Sequence, residues 1–353
     1  MQAASAKVVH DPLVREIAHA LRHRCGYQPR PHRSIVVGCS AGGDSQALLH
    51  ALCWLSGRRS WPFKVILAHV NHHLTEQSDE AEALLREQAD RLGITYAHRS
   101  IHPHHHGGNL ENTARKQRHA ALRSIAHEHD ASAIALAHHA DDQLETMLMR
   151  LLRGASPAGL AGMAWTRQST RSGLQLIRPM LAVTHAQALD FLQRHEIPWL
   201  EDPLNSKPNV RRNRLRAGVL PTLRESWPNG HERALDAADQ LRQWARFIDA
   251  QARHVRDHFQ ETPTGPIAQR DKLAASPDPL LATALRAELL QAGVPSDRLK
   301  TKTLQRLVPA IRDRSSQPRH WHLANDITVT LDHRSLRITM RSGPDRSVPR
   351  PAN

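Results

Sequence analysis

The stretch Ser34 to Ser45, S-I-V-V-G-C-S-A-G-G-D-S, decides how the chain is read. Ile35, Val36 and Val37 are a short β-branched run, the pattern of a buried parallel strand. The chain then turns through Ser40, Ala41, Gly42 and Gly43. Asp44 and Ser45 open an apolar helical stretch predicted over Gln46 to Leu55, with Leu48, Leu49, Leu52 and Leu55 at helical spacing. A strand, a small-residue turn and a helix together make an anion cradle, because free backbone N–H groups and the positive helix end favour a phosphate. Taken alone, the turn also reads as a plain tight corner. It is not the common nucleotide loop: G-x-x-x-x-G-K-[ST] requires a lysine where Asp44 stands, and G-x-G-x-x-G is absent.

Outward from this stretch, strand and helix patterns alternate. Lys64 to Val70 is a second buried strand, containing His69 and delivering Asn71, His72 and His73 to its C-terminal end, where open α/β sheets keep their ligands. Ser78 is expected to cap a helix over Asp79 to Leu92, with Ala81, Leu84, Leu85, Ala89 and Leu92 toward the sheet. Thr95 to Ile101 is a third strand. The H-P-H-H-H-G-G-N run after it suits a solvated loop better than a metal site, since no carboxylate or cysteine completes a ligand set. Asn109 can cap a helix over Leu110 to His127. Glu111, Arg115 and Arg118 share one face of it, which by itself reads as a surface ion-pair stripe. Ser132 to Ala137 is a fourth strand, leading to His138, His139, Asp141 and Asp142 and a helix predicted from Gln143 to Leu152. Asp141, Asp142 and Glu145 then cluster at a helix N-terminus. Acids there suit the helix dipole, or alternatively a Mg²⁺ site.

Gly154, Gly159 and Gly162 suggest a mobile active-site loop. Leu174 to Ile177 is a fifth strand, Thr184 caps a helix to about His195, and Pro198 to Leu200 is a possible sixth strand. Five or six alternations predict an α/β fold, a doubly wound parallel sheet. The polar clusters at 40–45, 71–73 and 138–145 all fall at its C-terminal edge. Arg211, Arg212, Arg214 and Arg216 crowd a Pro- and Asn-rich stretch, read either as a solvated basic loop or as a phosphate clamp. Beyond it, a long helix from Gly230 to Phe259, helices over Asp278 to Gln291 and Thr301 to Asp313, and a β-hairpin over 319–340 follow. A linker is expected at Glu261 to Pro266 and a disordered tail at 341–353.

The 353 residues suggest two domains, with a possible small third, and the formal charge of +14, not counting 26 histidines, points to a polyanionic partner such as nucleic acid. Aromatic residues at 4% make base stacking an unlikely main binding mode. Cys25, Cys39 and Cys53 form no C-x-x-C pair, which argues against a zinc finger or an iron–sulfur cluster. No run has the length of a membrane span, and a cytoplasmic location is expected.

S-A-G-G-D-S resembles the S-G-G-x-D-S loop of the ATP pyrophosphatases, the PP-loop superfamily. Within it, four further segments resemble the tRNA(Ile)-lysidine synthetase family: 69–80, 109–118, 137–154, and D-P-L-N with R-R-N-R-L-R within 202–216. The resemblance implies a Rossmann-like, adenine nucleotide alpha hydrolase type domain at 31–225. An N-terminal extension (1–30) precedes it. A helical linker (226–262), a small α+β tRNA-binding domain (265–340) and the tail complete the chain. It further implies that ATP and Mg²⁺ are used to join free L-lysine to C2 of the wobble cytidine of a CAU-anticodon tRNA(Ile), through an adenylated cytidine. In this reading Ser40, Ala41, Gly42, Gly43, Asp44, Ser45, His69, Asn71 and His138 contact ATP. Asp44, Asp141, Asp142 and Glu145 are catalytic, with Asp44 and Asp142 as metal ligands. Arg115, Arg118, Arg212 and Arg214 face tRNA. The departure is Ala41, where the family usually has glycine; a positive φ there would strain an alanine. The rival readings are a tRNA 2-thiolase, which needs more cysteine than this chain offers, a small-molecule ligase of the same superfamily, which would not need so much positive charge, and a catalytically inert RNA-binding protein.

Overall fold

A computed structural model describes residues 10–72, 78–102, 110–168, 173–201, 211–295, 298–299, 301–313 and 317–340. The chain divides into two compact units, one of residues 1–150 with 162–238 and the other of 151–161 with 239–353.

The first unit is built on a six-stranded sheet. In chain order it holds α1 (Pro12–His19), β1 (Arg33–Gly38), α2 (Gly43–Ser56), β2 (Phe63–Asn71), α3 (Ser78–Leu92), β3 (Thr95–Ser100) and α4 (Leu110–Glu128). These are followed by β4 (Ala131–Ala135), α5 (Ala140–Leu151), β5 (Thr166–Gln168), β6 (Gln175–Ile177) and α7 (His185–Arg194), with the short α6 (Pro157–Leu160) assigned to the other unit. Strand order is β3-β2-β1-β4-β6-β5, parallel except for β5. Side chains alternate across a strand, and here that alternation divides the core in two. Ile35, Val37, Val65 and Leu67 pack with α1, α2, α3 and α7 on one face. Val36, Ile66, Ala68 and Ile134 pack with Leu122 and Ile125 of α4 on the other. Strand order reverses direction between β1 and β4, which opens a crevice at their C-terminal ends.

Several local expectations are corrected. Helices α2 and α5 begin at Gly43 and Ala140, three residues before their apolar periodicity starts, because a first turn that faces a crevice carries no core pattern. Ser78 is the first residue of α3. The sheet is mixed because of β5, a short strand whose polar residues show no alternation. Leu200 makes only an isolated bridge to Gly42, not a sixth strand. The glycine-punctuated stretch holds a helical turn, α6, capped by the Ser156 side chain. The arginine stretch is helical rather than a loop, as α8 (Arg211–Arg214) and a wider π-type turn over Leu215–Val219, then α9 (Leu220–Ser226). The expectations for the histidine run after Pro103, the Asn109 cap, the D-P-L-N segment and the tail lie outside the described residues.

Helix α10 (Gly230–Arg256) is followed by β7 (Phe259–Gln260), β8 (Ile267–Gln269), α11 (Arg270–Ala274), α12 (Asp278–Gln291), α13 (Thr301–Arg312), β9 (Arg319–His322), β10 (Ile327–Leu331) and β11 (Ser335–Met340). The five strands form an antiparallel sheet in the order β7-β8-β11-β10-β9, so the expected hairpin is part of a larger sheet. Its Asp332–Arg334 corner is held by Asp332 Oδ1, which accepts from the N–H groups of Arg334 at 2.7 Å and Ser335 at 2.6 Å. Leu285, Leu289, Leu307, Leu336 and Ile338 form the core of this unit. Buried Arg270 donates to the carbonyls of Ala310 and Ile311 at the end of α13 and to Asp332 O, which satisfies carbonyls that a helix end leaves open.

Candidate active site

The loop between β1 and α2 is pinned by one hydroxyl. Ser45 Oγ donates to Gly42 O at 2.8 Å and accepts from Ser40 N at 3.2 Å and the Cys39 thiol at 3.2 Å. Gly42 caps α2 without a side chain, so the first N–H groups of the helix keep their donor capacity for an anion. A Cβ at Gly43 would stand 2.6 Å from Leu189 Cδ2, so a larger residue there would have to push the Leu189 side chain aside. Ala41 has φ 65° and is fully buried, so this L-residue is held in the left-handed region. Its carbonyl accepts from Leu200 N at 3.0 Å.

Opposite the loop, α5 presents its first turn at the end of β4. His139 is buried, and its ring lies between three carboxylates: Nε2 is 3.5 Å from Asp44 and 3.5 Å from Asp142, and Nδ1 is 3.5 Å from Asp141. Burial alone would lower its pKa, but Asp141, Asp44 and Asp142 raise it to about 10. The acids respond in kind. Burial works against ionisation of Asp44, yet His139 and His185 hold its pKa well below the usual carboxylate range. Asp141 is likewise held down by His139, by the His185 N–H and by Arg224.

Helix α7 ties these pieces together. Its N-terminus is set by a capping box between Thr184 and Gln187. There His185 N donates to Asp141 Oδ2 at 2.8 Å, and His185 Nδ1 donates to Asp44 Oδ1 at 2.9 Å. One residue thus contacts both the loop acid and the α5 acid.

A second layer comes from the arginine helix. Arg212 donates to Glu145 Oε2 at 2.5 Å and Asp142 Oδ1 at 2.5 Å. Arg216, one turn on, donates to Glu145 Oε1 at 2.7 Å and Asp142 Oδ1 at 3.0 Å. Arg224 reaches Asp141 Oδ1 at 2.7 Å. The Glu145 side chain is fully buried, so the two guanidinium groups are what make its charge tolerable there.

The structure therefore brings together Ser40, Gly42, Gly43, Asp44, Asp141, Asp142, Glu145 and Arg212. Arg214 is exposed on the same helix and makes no ion pair among the described residues. Arg115 and Arg118 are exposed on α4, and Arg118 lies near Arg115 and Arg212. His69 donates from Nδ1 to Cys39 O at 3.0 Å, beneath the loop, and stacks on His98. Asn71 is buried at the end of β2. Sequence reasoning missed Arg224 and His185, and placed Arg216 in a basic cluster without assigning it to the acids. The i,i+4 spacing of Arg212 and Arg216 was the available signal, hidden by reading the stretch as a loop.

As for a divalent cation, Asp44 and Asp142 direct oxygens toward one point, now occupied by His139 Nε2. Two carboxylates beside a phosphate cradle form an oxygen donor set that suits Mg²⁺. Asp44, His139 and His185 also lie close enough for a mixed nitrogen and oxygen set.

Residues 12–223 match the model of the PP-loop domain. The chain belongs to the PP-loop domain family. Among curated PP-loop relatives, the chain is 39% identical over 209 residues to a tRNA(Ile)-lysidine synthase of Bacillus cereus, covering 58% of this chain and 43% of that protein. It is 34% identical over 289 residues to the synthase of Alkalilimnicola ehrlichii, covering 80% and 62%. To that of Ralstonia nicotianae it is 32% identical over 304 residues, covering 82% and 63%. The matched part of the chain thus spans between two fifths and two thirds of these relatives. Among solved structures, it resembles a U34-tRNA thiolase of Methanococcus maripaludis with its [4Fe-4S] cluster. The TM-score is 0.53 at 15% identity, over 65% of this chain and 79% of that one. That likeness speaks for the PP-loop fold.

Proposed function

We propose that this chain is an ATP-dependent tRNA(Ile)-lysidine synthetase. It joins lysine to C2 of the wobble cytidine in a CAU anticodon, through an adenylated cytidine, and works in the cytoplasm. The observation that carries the reading is the arrangement of Asp44, Asp141, Asp142 and Glu145 around a PP-loop, in a chain 39% identical to a lysidine synthase over 209 residues. No described helix is long and apolar enough to cross a membrane.

In the first step the cytidine O2 attacks the α-phosphorus of ATP and pyrophosphate leaves. The α2 N–H groups beyond Gly42, with Ser40, bind the phosphates; the Ser45 hydroxyl keeps the loop in shape for them. His69, Asn71 and His138 line the nucleotide side. Asp44 and Asp142 would hold Mg²⁺, which would supply positive charge to neutralise the departing pyrophosphate. In the second step the lysine amine, deprotonated, attacks C2 and AMP leaves with the oxygen. Asp141, Asp142 and Glu145 attract the lysine amino groups, and Arg212 and Arg216 set how much of their charge is free for it. Arg115, Arg118, Arg212 and Arg214 hold RNA phosphates. In the domain reading, 31–225 is the catalytic domain, with 1–30 before it and the helical 226–262 after it. Residues 265–340 form a small tRNA-binding domain, followed by the tail at 341–353.

The test is incorporation of labelled lysine into CAU-anticodon tRNA(Ile) with ATP and Mg²⁺. The wild type should incorporate it and Asp44→Asn should not. AMP transfer to the tRNA without lysine would mean another nucleophile. Neither reaction, with folded protein and competent tRNA, would overturn the reading.

A further inference from the structure

Next to the acid cluster, on the β6 side of β4, the protein buries positive charge that pairs with no acid among the described residues. Arg178 follows β6 directly and is 7% exposed. Its Nη1 donates to Ala164 O at 2.7 Å, and its Nε has no partner. A buried guanidinium N–H left open is costly and uncommon. His138 sits across from it at the end of β4. The two strand ends are joined there by the Leu136 N to Ile177 O hydrogen bond at 3.0 Å. The His138 Nδ1 is also buried without a partner.

Two histidines locate the remaining charges. The charges of Arg178, Arg115 and Arg118 all act on both His138 and His119 of α4. Burial and the Arg178 charge lower the His138 pKa to about 3, so its imidazole is neutral. Burial and the surrounding Arg115, Arg167 and Arg150 charges lower the Arg178 pKa to about 10. The group beside it that favours its charge is the Cys25 thiol, which burial pushes up to about 11 and keeps neutral. Asp142, the acid whose charge acts on His138, is already held by Arg212 and Arg216. Arg115, Arg118 and Arg178 form no ion pair among the described residues.

We propose that Arg178, His138, Arg115 and Arg118 form a binding pocket for one phosphate-ester group, separate from the cradle of the loop. A phosphate oxyanion supplies what the pocket lacks: acceptors for Arg178 Nε and His138 Nδ1 and negative charge for three guanidinium groups. The order β1-β4-β6 puts the loop and this pocket on opposite sides of β4, with the acid cluster between them. A nucleotide on the loop and an RNA strand in the pocket would therefore meet over the acids, with His138 between the two ligands. This use of the pocket rests on the function proposed above; its affinity for a phosphate ester rests on the side chains alone.

The test uses the full chain and three variants, Arg178→Gln, Arg178→Lys and Arg118→Gln. Arg118 is exposed, so its variant does not put folding at risk. Binding of a CAU anticodon stem–loop RNA is measured by fluorescence anisotropy, and binding of ATP by equilibrium dialysis, at one fixed salt concentration. A loss of about tenfold in RNA affinity for both glutamine variants, with ATP affinity kept, assigns the pocket to an RNA phosphate. A similar loss in ATP affinity with RNA binding kept assigns it to the nucleotide. Arg178→Lys keeps the charge but not the fork and should recover only part of the loss. Unchanged affinity for both ligands in Arg118→Gln and in a folded Arg178 variant would overturn the pocket. Lysine incorporation is measured in parallel: its absence in the wild type, alongside a variant-dependent affinity, would remove the proposed reaction and leave the pocket.

Discussion

The Nε2 atom of His139 stands 3.5 Å from a carboxylate oxygen of Asp44, joining the residue that precedes α5 to the first turn of α2 across the crevice. His139 faces Asp142 and Asp141 at the same distance, so one buried imidazolium neutralises part of a four-acid site.

The linkage has a definite sign. The folded His139 pKa is about 10, above the ordinary histidine value near 6.5. Its contribution to stability is therefore complete below about pH 6.5 and is lost as pH rises toward 10. Urea unfolding of the wild type should show free energy falling over this window, and His139→Gln should lack that part of the fall. Asp44 and Asp141 act oppositely: their contribution is present above the ordinary aspartate value near 3.8 and lost as pH falls below it.

Ala41 gives a stabilising substitution. An L-residue at φ 65° costs roughly 1–2 kcal/mol, and glycine returns about 0.5–1 kcal/mol of that as unfolded-state entropy. Ala41→Gly should raise the unfolding free energy by about 0.5–1 kcal/mol, read from the urea midpoint at unchanged slope. Ala41→Val should lower it, since a β-branched residue tolerates this conformation less well.

Glu145 predicts a non-additive cycle. Arg212→Ala or Arg216→Ala alone leaves the buried carboxylate one partner, and each should cost about 1–2 kcal/mol. Removing both strands the charge and should cost about 3–5 kcal/mol. Adding Glu145→Gln to the double variant should recover part of this. A simple sum of the single effects, with no recovery, would show that the pairs are independent of the buried charge.

Arg270 predicts the same logic in the other unit. Two of its three hydrogen bonds to main-chain carbonyls close the end of α13, and the third reaches Asp332 O. Arg270→Ala should cost about 3 kcal/mol, since charged hydrogen bonds are each worth about 1.5–3 kcal/mol and part of the loss is recovered by water. Amide hydrogen exchange should localise the change to the last turn of α13 and to Asp332–Ser335.

The sheet and the loop were legible because their signal is local. Ile35 to Val37 is a buried run, and small residues followed by an apolar helix leave few other conformations. The acids at 141, 142 and 145 were legible for the same reason. The arginines that hold them were seen only as a basic stretch. Whether Arg212 and Arg216 lie in a loop or one turn apart on a helix depends on partners some 70 residues earlier. His185 was silent because its neighbours Thr184 and Gln187 signal only a helix start. Arg178 directly follows the strand predicted to end at Ile177, and only its burial shows that it is enclosed.

The thiol of Cys39 lies inside the loop and donates to Ser45. Burial raises its pKa, and burial also raises Cys25 to about 11 and Cys53 to about 12. At neutral pH none of the three is appreciably in the nucleophilic thiolate form. The native protein should therefore be nearly inert to maleimides and mild oxidants. A single cysteine placed on an exposed helix face then becomes an addressable handle, and a dye attached there reports RNA docking without any native cysteine being removed.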